Sequence, residues 1–523
     1  MSKSEKRNVG NPPDVRVGGE LEWNRINWNQ TSKAVARLQA RIVKAQQVGR
    51  YGKVKSLTRI LTRSFSAKAE AIKRVTSNRG SKTPGVDGET WASNERKAQA
   101  ILELQQDSYR AKPLRRKYIQ KPGSNKLRPL GIPTMKDRAM QAVFNTGLAP
   151  IAETTGDTNS YGFRPYRSCQ DAIDQIAAMM SRATHPQWVL EGDIKGCFDN
   201  ISHEWIMKHI PVEKRILSQW LKCGYMENNE LLFNEAGTPQ GGIISPVIAN
   251  MVLDGIETML NKKYKVWRKQ SGHWEWHSPN KEHNHHVNFV RYADDFIVTG
   301  DSQELLENEI KPMLREFLAE RGLTLSEEKT VVTNMETGFD FLGFNIRTYN
   351  GKLVIKPTES RVQRFMQKID DVLKANQTVK TVYLINRLNP MLRGWTNYYR
   401  FVSSSLEFKA LEHWLFGKLW HWACRRHPKK NHSWVKDKYF TRIGNNDWVF
   451  FDYDENGKMV TLFQPHEVKI LRHKKIKATA NPFATEDSKY FADRKENGTI
   501  GCRVSSSLKS CGRMLRNQCL IKA

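Results

Sequence analysis

The first long segment of the chain, residues 33–76, repeats apolar residues at the spacing of one helix face. Two such stripes are separated by a break that contains Gly49 and Gly52. The pattern predicts helices whose outer faces are crowded with Arg and Lys, either simply solvated or placed to contact a nucleic acid template. The stripes are Val35, Leu38, Ile42 and Ala45, followed by Val54, Leu57, Ile60, Leu61 and Phe65.

A basic hairpin and an inserted ribbon are predicted in the middle of the chain. Residues 117–121 and 126–133 have strand-like composition and are separated by a short turn rich in Pro, Gly, Ser and Asn. Residues 262–287 are rich in His and Trp, and their pattern favours a surface β-ribbon. A zinc site is the alternative there, but the histidine spacing matches no familiar zinc motif.

Three further apolar stripes at helical spacing occupy residues 355–440 and predict a three-helix domain. Pro390 is expected to begin the second of these helices, because proline is tolerated in the first turn of a helix. Residues 441–495 predict a small, partly β segment. The stripes are Val362, Phe365, Ile369, Val372 and Leu373; Leu392, Trp395, Tyr398 and Tyr399; and Phe408, Leu411, Trp414, Leu415 and Leu419.

Charge narrows the class of partner. Lys and Arg number 84 against 54 Asp and Glu, which gives the 523-residue chain a net charge of +30. Such a balance favours a polyanionic partner, most simply nucleic acid. The chain contains no run of about 18 apolar residues, so no transmembrane helix is predicted. Residues 1–20 lack the apolar core of a signal peptide and predict a disordered lead-in. The seven scattered cysteines favour a reducing cytosol.

The candidate chemistry lies in residues 289–298, where apolar residues flank the adjacent acids Asp294 and Asp295. The pattern predicts a tight hairpin with the two carboxylates at its turn, although Asp is also an ordinary turn residue. Neighbouring carboxylates repel each other, and a divalent cation resolves that cost. Asp193 ends another short apolar run, so three carboxylates on adjacent strands could hold two Mg²⁺ ions about 3.5–4 Å apart.

Three ordered motifs now point to one family. They are the Tyr-Ala-Asp-Asp sequence at 292–295, Asp-Ile-Lys-Gly-Cys-Phe-Asp at 193–199, and Gly-Thr-Pro-Gln-Gly-Gly-Ile-Ile-Ser-Pro at 237–246. Together they resemble the palm of a reverse transcriptase. More narrowly, residues 20–495 resemble the bacterial group II intron-encoded proteins, which combine a reverse transcriptase with a maturase.

The resemblance implies an α+β fold of the right-hand polymerase type. Fingers and palm with an antiparallel sheet would occupy residues 101–345, preceded by a helical N-terminal extension at 21–100. An α-helical thumb and maturase domain would follow at 355–440, and a small basic DNA-binding segment at 441–495. Many relatives continue into an endonuclease with paired cysteines and histidines. Residues 496–523 lack that spacing and are expected to be a disordered tail without an endonuclease.

The resemblance also implies roles for individual residues at the polymerase site. Asp193, Asp294 and Asp295 would be the catalytic carboxylates, and the main-chain carbonyl of Ile194 would add a metal ligand. Residues expected to bind the incoming nucleotide are Lys121, Arg128, Phe198, Gln240 and Lys329. Of these, Phe198 would exclude a ribose 2′-hydroxyl and Lys329 would protonate the departing pyrophosphate. An exposed basic hairpin and a strand-edge lysine are the alternatives for the basic residues.

RNA contacts are expected from four arginines. Arg164 and Arg167 lie in a segment, residues 160–168, that resembles the family's template-side motif, and a loop packed on the palm is the alternative. Arg393 and Arg400 lie in the maturase-like region. The aromatic residues Trp395 and Tyr399 beside them are more typical of a helix core than of an RNA surface.

The sequence therefore predicts an RNA-directed DNA polymerase with maturase activity. Its partners would be structured intron RNA, an RNA template with a DNA primer, target DNA and dNTPs, in the bacterial cytosol with no membrane. Two alternatives stay open: a maturase with little polymerase activity, and a reverse transcriptase recruited to host duties. The oligomeric state is left open, a dimer included.

Overall fold

The computed structural model describes residues 16–17, 20–120, 127–181, 185–228, 230–233, 235–238, 241–268, 273–275 and 285–496. Short 3₁₀ helices lie at Trp23–Arg25, Arg79–Lys82 and Pro465–Glu467, and a π-helix at Leu305–Ile310 leads into α12. The α-helices are α1 Trp28–Gln47, α2 Tyr51–Arg63, α3 Phe65–Thr76, α4 Asn94–Glu103, α5 Met135–Thr155, α6 Cys169–Met180, α7 Cys197–Asn200, α8 His203–His209, α9 Lys214–Lys222, α10 Ser245–Leu253, α11 Ile256–Tyr264, α12 Lys311–Ala319, α13 Glu359–Ala375, α14 Thr381–Tyr399, α15 Ser405–Arg426, α16 His432–Tyr439 and α17 Ser488–Glu496.

The strands are β1 Arg16–Val17, β2 Glu20–Leu21, β3 Leu114–Gln120, β4 Leu127–Ile132, β5 Trp188–Asp193, β6 Tyr225–Glu227, β7 Glu230–Leu232, β8 Val266–Arg268, β9 His273–Glu275, β10 Asn288–Tyr292, β11 Asp295–Gly300, β12 Val331–Asn334, β13 Phe339–Phe341, β14 Phe344–Tyr349, β15 Lys352–Pro357, β16 Phe440–Ile443, β17 Asn446–Tyr453 and β18 Met459–Thr461. The larger sheets have the orders β10-β11-β5-β12 and β4-β3-β6-β7. Strands β10, β11 and β5 are antiparallel to their neighbours among these three, whereas β3 and β6 are parallel.

The chain folds into two compact units. Among the described residues, the first unit contains those up to 175, then 188–332, and then 476 onward. The second contains residues 176–187 and 333–475. The predicted C-terminal segment 441–495 is therefore divided, because its last part from Ile476 belongs to the first unit.

Helix α5 runs through the core of the first unit. Its N-terminus is capped by Thr134, whose hydroxyl accepts a hydrogen bond from the Asp137 N–H at 3.1 Å. Buried residues lie on almost every face of the helix, and they include polar side chains such as Asp137 and Arg138 among the apolar ones. Helices α1, α2 and α3, predicted from the stripes in residues 33–76, pack against α5. The basic hairpin is present as β3 and β4, and the ribbon as β8 and β9.

Most apolar residues of strands β10, β11 and β5 are buried. Strand β11 lies between β10 and β5 and is antiparallel to both. Gly192 on β5 faces Phe296 on β11, and a Cβ at Gly192 would lie 2.2 Å from the Phe296 ring. Glycine is therefore required there by the close approach of an aromatic ring.

The second unit has its own core, formed chiefly by helices α13, α14 and α15. The expectation that Pro390 begins a helix is wrong, because α14 begins at Thr381 and Pro390 lies inside it. The buried residues Leu384, Ile385 and Leu388 already follow helical spacing before the proline. Trp395 stacks on Phe365 at 5.0 Å, and Tyr399 is buried. Both aromatic residues therefore belong to the core. None of the helices in the described ranges is long and apolar enough to cross a membrane.

Candidate active site

The two acids of the hairpin lie at a tight turn. Tyr292 pairs with Asp295, so Ala293 and Asp294 form a two-residue loop between β10 and β11. Ala293 has a φ of 59°, and a positive φ at the first loop position is the mark of a turn that matches the strand twist. A residue with a Cβ pays roughly 1–2 kcal/mol for this conformation. Something in the surrounding structure must therefore hold the turn.

Strand pairing brings the third acid to the same place. Asp193, the last residue of β5, is the cross-strand partner of Asp295. Side chains of directly opposed residues in an antiparallel pair lie on the same face of the sheet. Asp193 and Asp295 therefore share a face at one end of the sheet, next to the turn that carries Asp294. Ile194 follows Asp193 and is buried.

A lysine already contacts one of these carboxylates. The backbone of residues 193–195 bonds to residues 324–326, with the Ser326 N–H donating to the Asp193 carbonyl at 2.8 Å. This pairing carries Lys329 to the site, where its Nζ donates to Asp193 Oδ2 at 2.9 Å. The Lys329 side chain is 66 % exposed, so its ammonium also faces solvent.

The donor set suits a hard cation. In the part of the chain that the structure describes, no three His, Cys, Asp or Glu side chains converge as a finished metal centre. Carboxylate oxygens are nevertheless the ligands that Mg²⁺ prefers, and the Lys329 ammonium already places a positive charge on Asp193. Burial raises the pKa of the nearby Cys197 thiol, and the charge of Asp294 adds to the shift. Cys197 is therefore a neutral neighbour of the carboxylates.

A buried arginine holds the turn. Arg291 has no exposed surface, and its Nη1 donates to the Ala293 carbonyl at 3.2 Å and to Asn250 Oδ1 at 3.0 Å. Its Nη2 donates to Asp254 Oδ1 at 2.5 Å. The guanidinium thus ties the strained loop to helix α10 and the residue after it. Sequence reasoning missed this residue, although a lone arginine inside the apolar run of residues 289–298 was a visible signal.

The partner of Arg291 lies at a break between two helices. Helix α10 ends at Leu253 and α11 begins at Ile256, so no single helix runs through residues 245–264. Asp254 is extended and Gly255 has a φ of 108°, which a helix cannot accommodate. The break turns the Asp254 carboxylate towards Arg291.

The segment 160–168 gives the turn a second support. The Tyr161 N–H donates to the Arg291 carbonyl at 2.9 Å, and the Arg291 N–H donates to the Asn159 carbonyl at 3.0 Å. Gly162 packs on the turn so closely that a Cβ there would lie 2.2 Å from the Ala293 nitrogen. The motif therefore acts on the hairpin through its backbone.

The arginines of this motif are not placed to hold template phosphates. The side chains of Arg164 and Arg167 are 7 % and 1 % exposed, and both are paired with the buried carboxylate of Glu153. Arg167 also donates to the carbonyls of Thr158 and Ala478, each at 2.9 Å. The assignment to RNA binding is corrected, because buried and fully engaged guanidinium groups cannot reach a phosphate.

The C-terminal segment of the first unit packs on the same motif. Asp171 accepts from the Ile476 N–H at 2.8 Å and from Arg494 Nη2 at 3.0 Å, in a fully buried ion pair. The ring of Tyr166 lies 4.9 Å from that of Phe491. Residues 476–496 therefore help to support the motif, which leaves the predicted DNA contacts to the part of the segment before Ile476.

The structure describes some, but not all, of the residues expected to bind the nucleotide. Phe198 is half-buried in α7, and its carbonyl accepts from the Thr238 N–H at 2.7 Å. Its ring lies 6.2 Å from the ring of Phe163. Arg128 lies half-buried on β4. Lys121 and Gln240 lie outside the described residues.

The two arginines predicted in the maturase-like region lie on α14 and at its end. Arg393 is exposed, and its guanidinium carbon lies 5.4 Å from the centre of the Phe463 ring. Arg400 is half-buried and donates to the Lys469 carbonyl and to Asn397 Oδ1, each at 3.3 Å. Arg393 is therefore the more accessible of the two.

Family models of known proteins match three parts of this chain. Residues 119–346 match the family model "Reverse transcriptase (RNA-dependent DNA polymerase)". Residues 23–104 match its "N-terminal domain of reverse transcriptase", and residues 362–440 match "Group II intron, maturase-specific domain".

Similar proteins occur in bacteria and in Schizosaccharomyces pombe. The group II intron-encoded protein LtrA of Lactococcus lactis subsp. cremoris is 29 % identical, over 72 % of this chain and 75 % of LtrA. Protein YkfC of Escherichia coli is 32 % identical, over 53 % of this chain and 79 % of YkfC. The 91 kDa protein in the cob intron of Schizosaccharomyces pombe is 27 % identical, over 70 % of this chain and 53 % of that protein.

The buried acid Asp157 predicts a pH dependence of stability. Its Oδ2 accepts hydrogen bonds from the N–H groups of Gly255 and Glu257, at 2.9 and 3.3 Å. Burial, together with the charges of Asp254 and Glu257, raises its pKa to about 7. The unfolded chain releases this proton near pH 4, roughly the ordinary value for Asp. The free energy of unfolding therefore falls, by at most about 4 kcal/mol, as the pH rises from about 4 to about 7.

The substitution Asp157→Asn removes this titration and keeps an oxygen that accepts the N–H groups. We expect the change in melting temperature, variant minus wild type, to be more positive at pH 8 than at pH 5. Thermal unfolding of both proteins at both pH values measures it. An equal change at the two pH values would show that Asp157 is ionised throughout.

Proposed function

Because the chain belongs to the family of group II intron-encoded reverse transcriptases with a maturase domain, we propose that Asp193, Asp294 and Asp295 are its catalytic carboxylates in RNA-templated DNA synthesis. The observation that carries this assignment is the strand register. Asp193 is paired with Asp295, and the turn that carries Asp294 follows directly. Three acids at one end of a sheet are costly unless positive charge joins them.

The residues present suit two Mg²⁺ ions, held by the three carboxylates and the Ile194 carbonyl. Such ions, when bound, activate the primer 3′-hydroxyl and neutralise the charge of the leaving pyrophosphate. The chain's own contribution is to fix the three acids at one end of the sheet. Positioning and electrostatic stabilisation supply most of the catalysis in phosphoryl transfer.

Lys329 is proposed as the proton donor to the leaving pyrophosphate. Its ammonium touches Asp193 and is largely exposed, so it borders the space where the triphosphate would lie. Arg128, with Lys121 and Gln240 as expected from the sequence, would bind the nucleotide by charge-assisted hydrogen bonds. Phe198 would lie under the sugar and exclude a 2′-hydroxyl.

Maturase activity is the second part of the function. The match to the maturase-specific domain over residues 362–440 supports binding of structured intron RNA. Arg393 and Arg400 are the proposed contacts, and target DNA is the expected further partner. A host-recruited role has no particular observation in its favour.

The substitution Asp294→Ala tests the polymerase assignment. We expect at least about a hundredfold loss of primer extension on an RNA template, because a group that stabilises developing charge is removed. Asp301→Ala is the matched control, since Asp301 follows the far end of β11. Extension at the wild-type rate by Asp294→Ala would refute the catalytic role. Absence of extension by folded wild type would favour a maturase without polymerase activity.

The substitution Arg291→Lys tests whether the turn must be held. Lysine keeps the charge but loses the fork that joins Ala293, Asn250 and Asp254. We expect kcat to fall by about 10–100-fold with little change in KM for dNTP, because Arg291 touches no substrate. The exposed Arg315, paired with Glu327, gives the control Arg315→Lys. An unchanged kcat in a folded Arg291→Lys protein would exclude this positioning role.

The substitution Phe198→Ala tests sugar discrimination. Removal of the ring would admit a 2′-hydroxyl, so the ratio of ribonucleotide to deoxyribonucleotide incorporation should rise by at least about tenfold. The neighbouring ring gives the control Phe163→Ala, which disturbs the same packing. A ratio that is unchanged in Phe198→Ala, or equally raised in Phe163→Ala, would contradict the assignment.

A further inference from the structure

A pocket of about 360 Å³ opens on the second unit, between helix α15 and the sheet β16-β17-β18. Its floor is apolar and buried, formed by residues that include Leu415, Leu419 and Phe440. Its walls are aromatic: Phe416, Trp448 and Phe463. Trp448 is 42 % exposed. The floor and walls provide flat apolar surface that is open to solvent.

The rim of the pocket is polar. His466 Nδ1 lies 2.6 Å from Glu412 Oε2, and Asn446 Nδ2 donates to Gln464 Oε1 at 2.8 Å. The side-chain amides of Asn446 and Gln464 offer both donors and acceptors. A small set of polar groups around an apolar pocket is typical of a site that selects a ligand with a polar edge.

Positive charge lies against two of the three aromatic wall residues. Lys436 Nζ is 4.8 Å from the centre of a Trp448 ring, and Arg393 lies 5.4 Å from that of Phe463. Lys409 is exposed on the rim. In residues 401–475, Lys and Arg number 14 and Asp and Glu number 8, a difference of 14 − 8 = 6 positive charges. An anionic ligand would therefore be attracted to this side of the unit.

We propose that this pocket binds one unpaired base of an RNA strand. A base has flat faces that stack on aromatic rings, a polar edge that suits amides and histidine, and phosphates that suit Lys436, Arg393 and Lys409. RNA is favoured because the matched maturase domain, residues 362–440, contains helix α15 and Phe440. The inference rests on the proposed function and adds a base-binding site remote in sequence from the catalytic acids.

The site is tested by photo-crosslinking with a single-stranded RNA of twelve or so nucleotides that carries one 4-thiouridine. The protein is first saturated with an unlabelled RNA template annealed to a DNA primer, so that the proposed polymerase site is occupied. Mass spectrometry then identifies the crosslinked peptides. We expect a crosslink within residues 440–466. Its absence, or crosslinks confined to other segments, would overturn the proposal and favour an apolar protein segment as the occupant.

Matched variants make the test specific. Trp448→Ala should reduce the crosslink, and the affinity for the labelled RNA, by about tenfold, as for the loss of one base–aromatic stack. Tyr453→Ala is the control, because Tyr453 lies on the same strand and is 56 % exposed but does not line the pocket. Trp448→Phe keeps an aromatic ring and should retain most of the crosslink. It replaces Trp448→Ala in the test if that variant does not fold. Equal effects of Trp448→Ala and Tyr453→Ala would overturn the proposal.

Two further readouts separate the possible outcomes. Primer extension should be unchanged in Trp448→Ala. Asp294→Ala should instead lose primer extension and keep the crosslink. A wrong pocket proposal and a wrong polymerase assignment would therefore give different results. A DNA oligonucleotide of the same sequence tests the preference for RNA. Equal crosslinking of the DNA would replace RNA by single-stranded nucleic acid in general and would overturn the proposal as stated.

Discussion

The contact between the Arg291 guanidinium and the Ala293 carbonyl holds the loop on which the candidate site depends. The loop stores strain, since Ala293 has a positive φ, and strained loops persist only where neighbouring groups over-determine them. Arg291 meets that need from inside the protein, where it bonds to Asp254 and Asn250. A loop held in this way keeps Asp294 next to the pair formed by Asp193 and Asp295. The precision of the site is thus set by a residue that touches no substrate.

The cost of this arrangement is a set of charges removed from water. Glu153 is buried and the Asp254 side chain is only 11 % exposed, and the arginines that pair with them, Arg164 and Arg291, are buried as well. Burial of such pairs adds little net stability, but loss of one partner leaves an uncompensated charge. Burial raises the pKa of Asp254, and the nearby positive charges of Arg291 and Arg164 oppose that shift. The network is therefore better understood as a device that specifies one geometry than as a source of stability.

The same logic explains why residues 476–496 belong to the first unit. The buried ion pair of Asp171 with Arg494 and the bond from Arg167 to the Ala478 carbonyl satisfy groups of the segment 160–168. In that segment, Gly162 packs closely on the loop of Ala293 and Asp294. A stretch far along the chain thus contributes to the support of the site by completing the hydrogen bonds of a motif that the loop rests on.

The sequence by itself determined the features that depend on the local order of apolar and polar residues. Apolar periodicity predicted helices in residues 33–76, the basic hairpin β3–β4, and a tight turn at Asp294, because spacing reports which side of an element is buried. Only the tertiary structure decided which charges pair with one another. Arg291 and Asp254 are 37 residues apart, and Arg494 finds Asp171 across 323 residues. The helix break at Gly255 accompanies the pairing of Asp254 with Arg291, and the burial of Arg164 accompanies its pairing with Glu153. Periodicity describes one element at a time, whereas a buried charge is tolerated only where the fold supplies its partner.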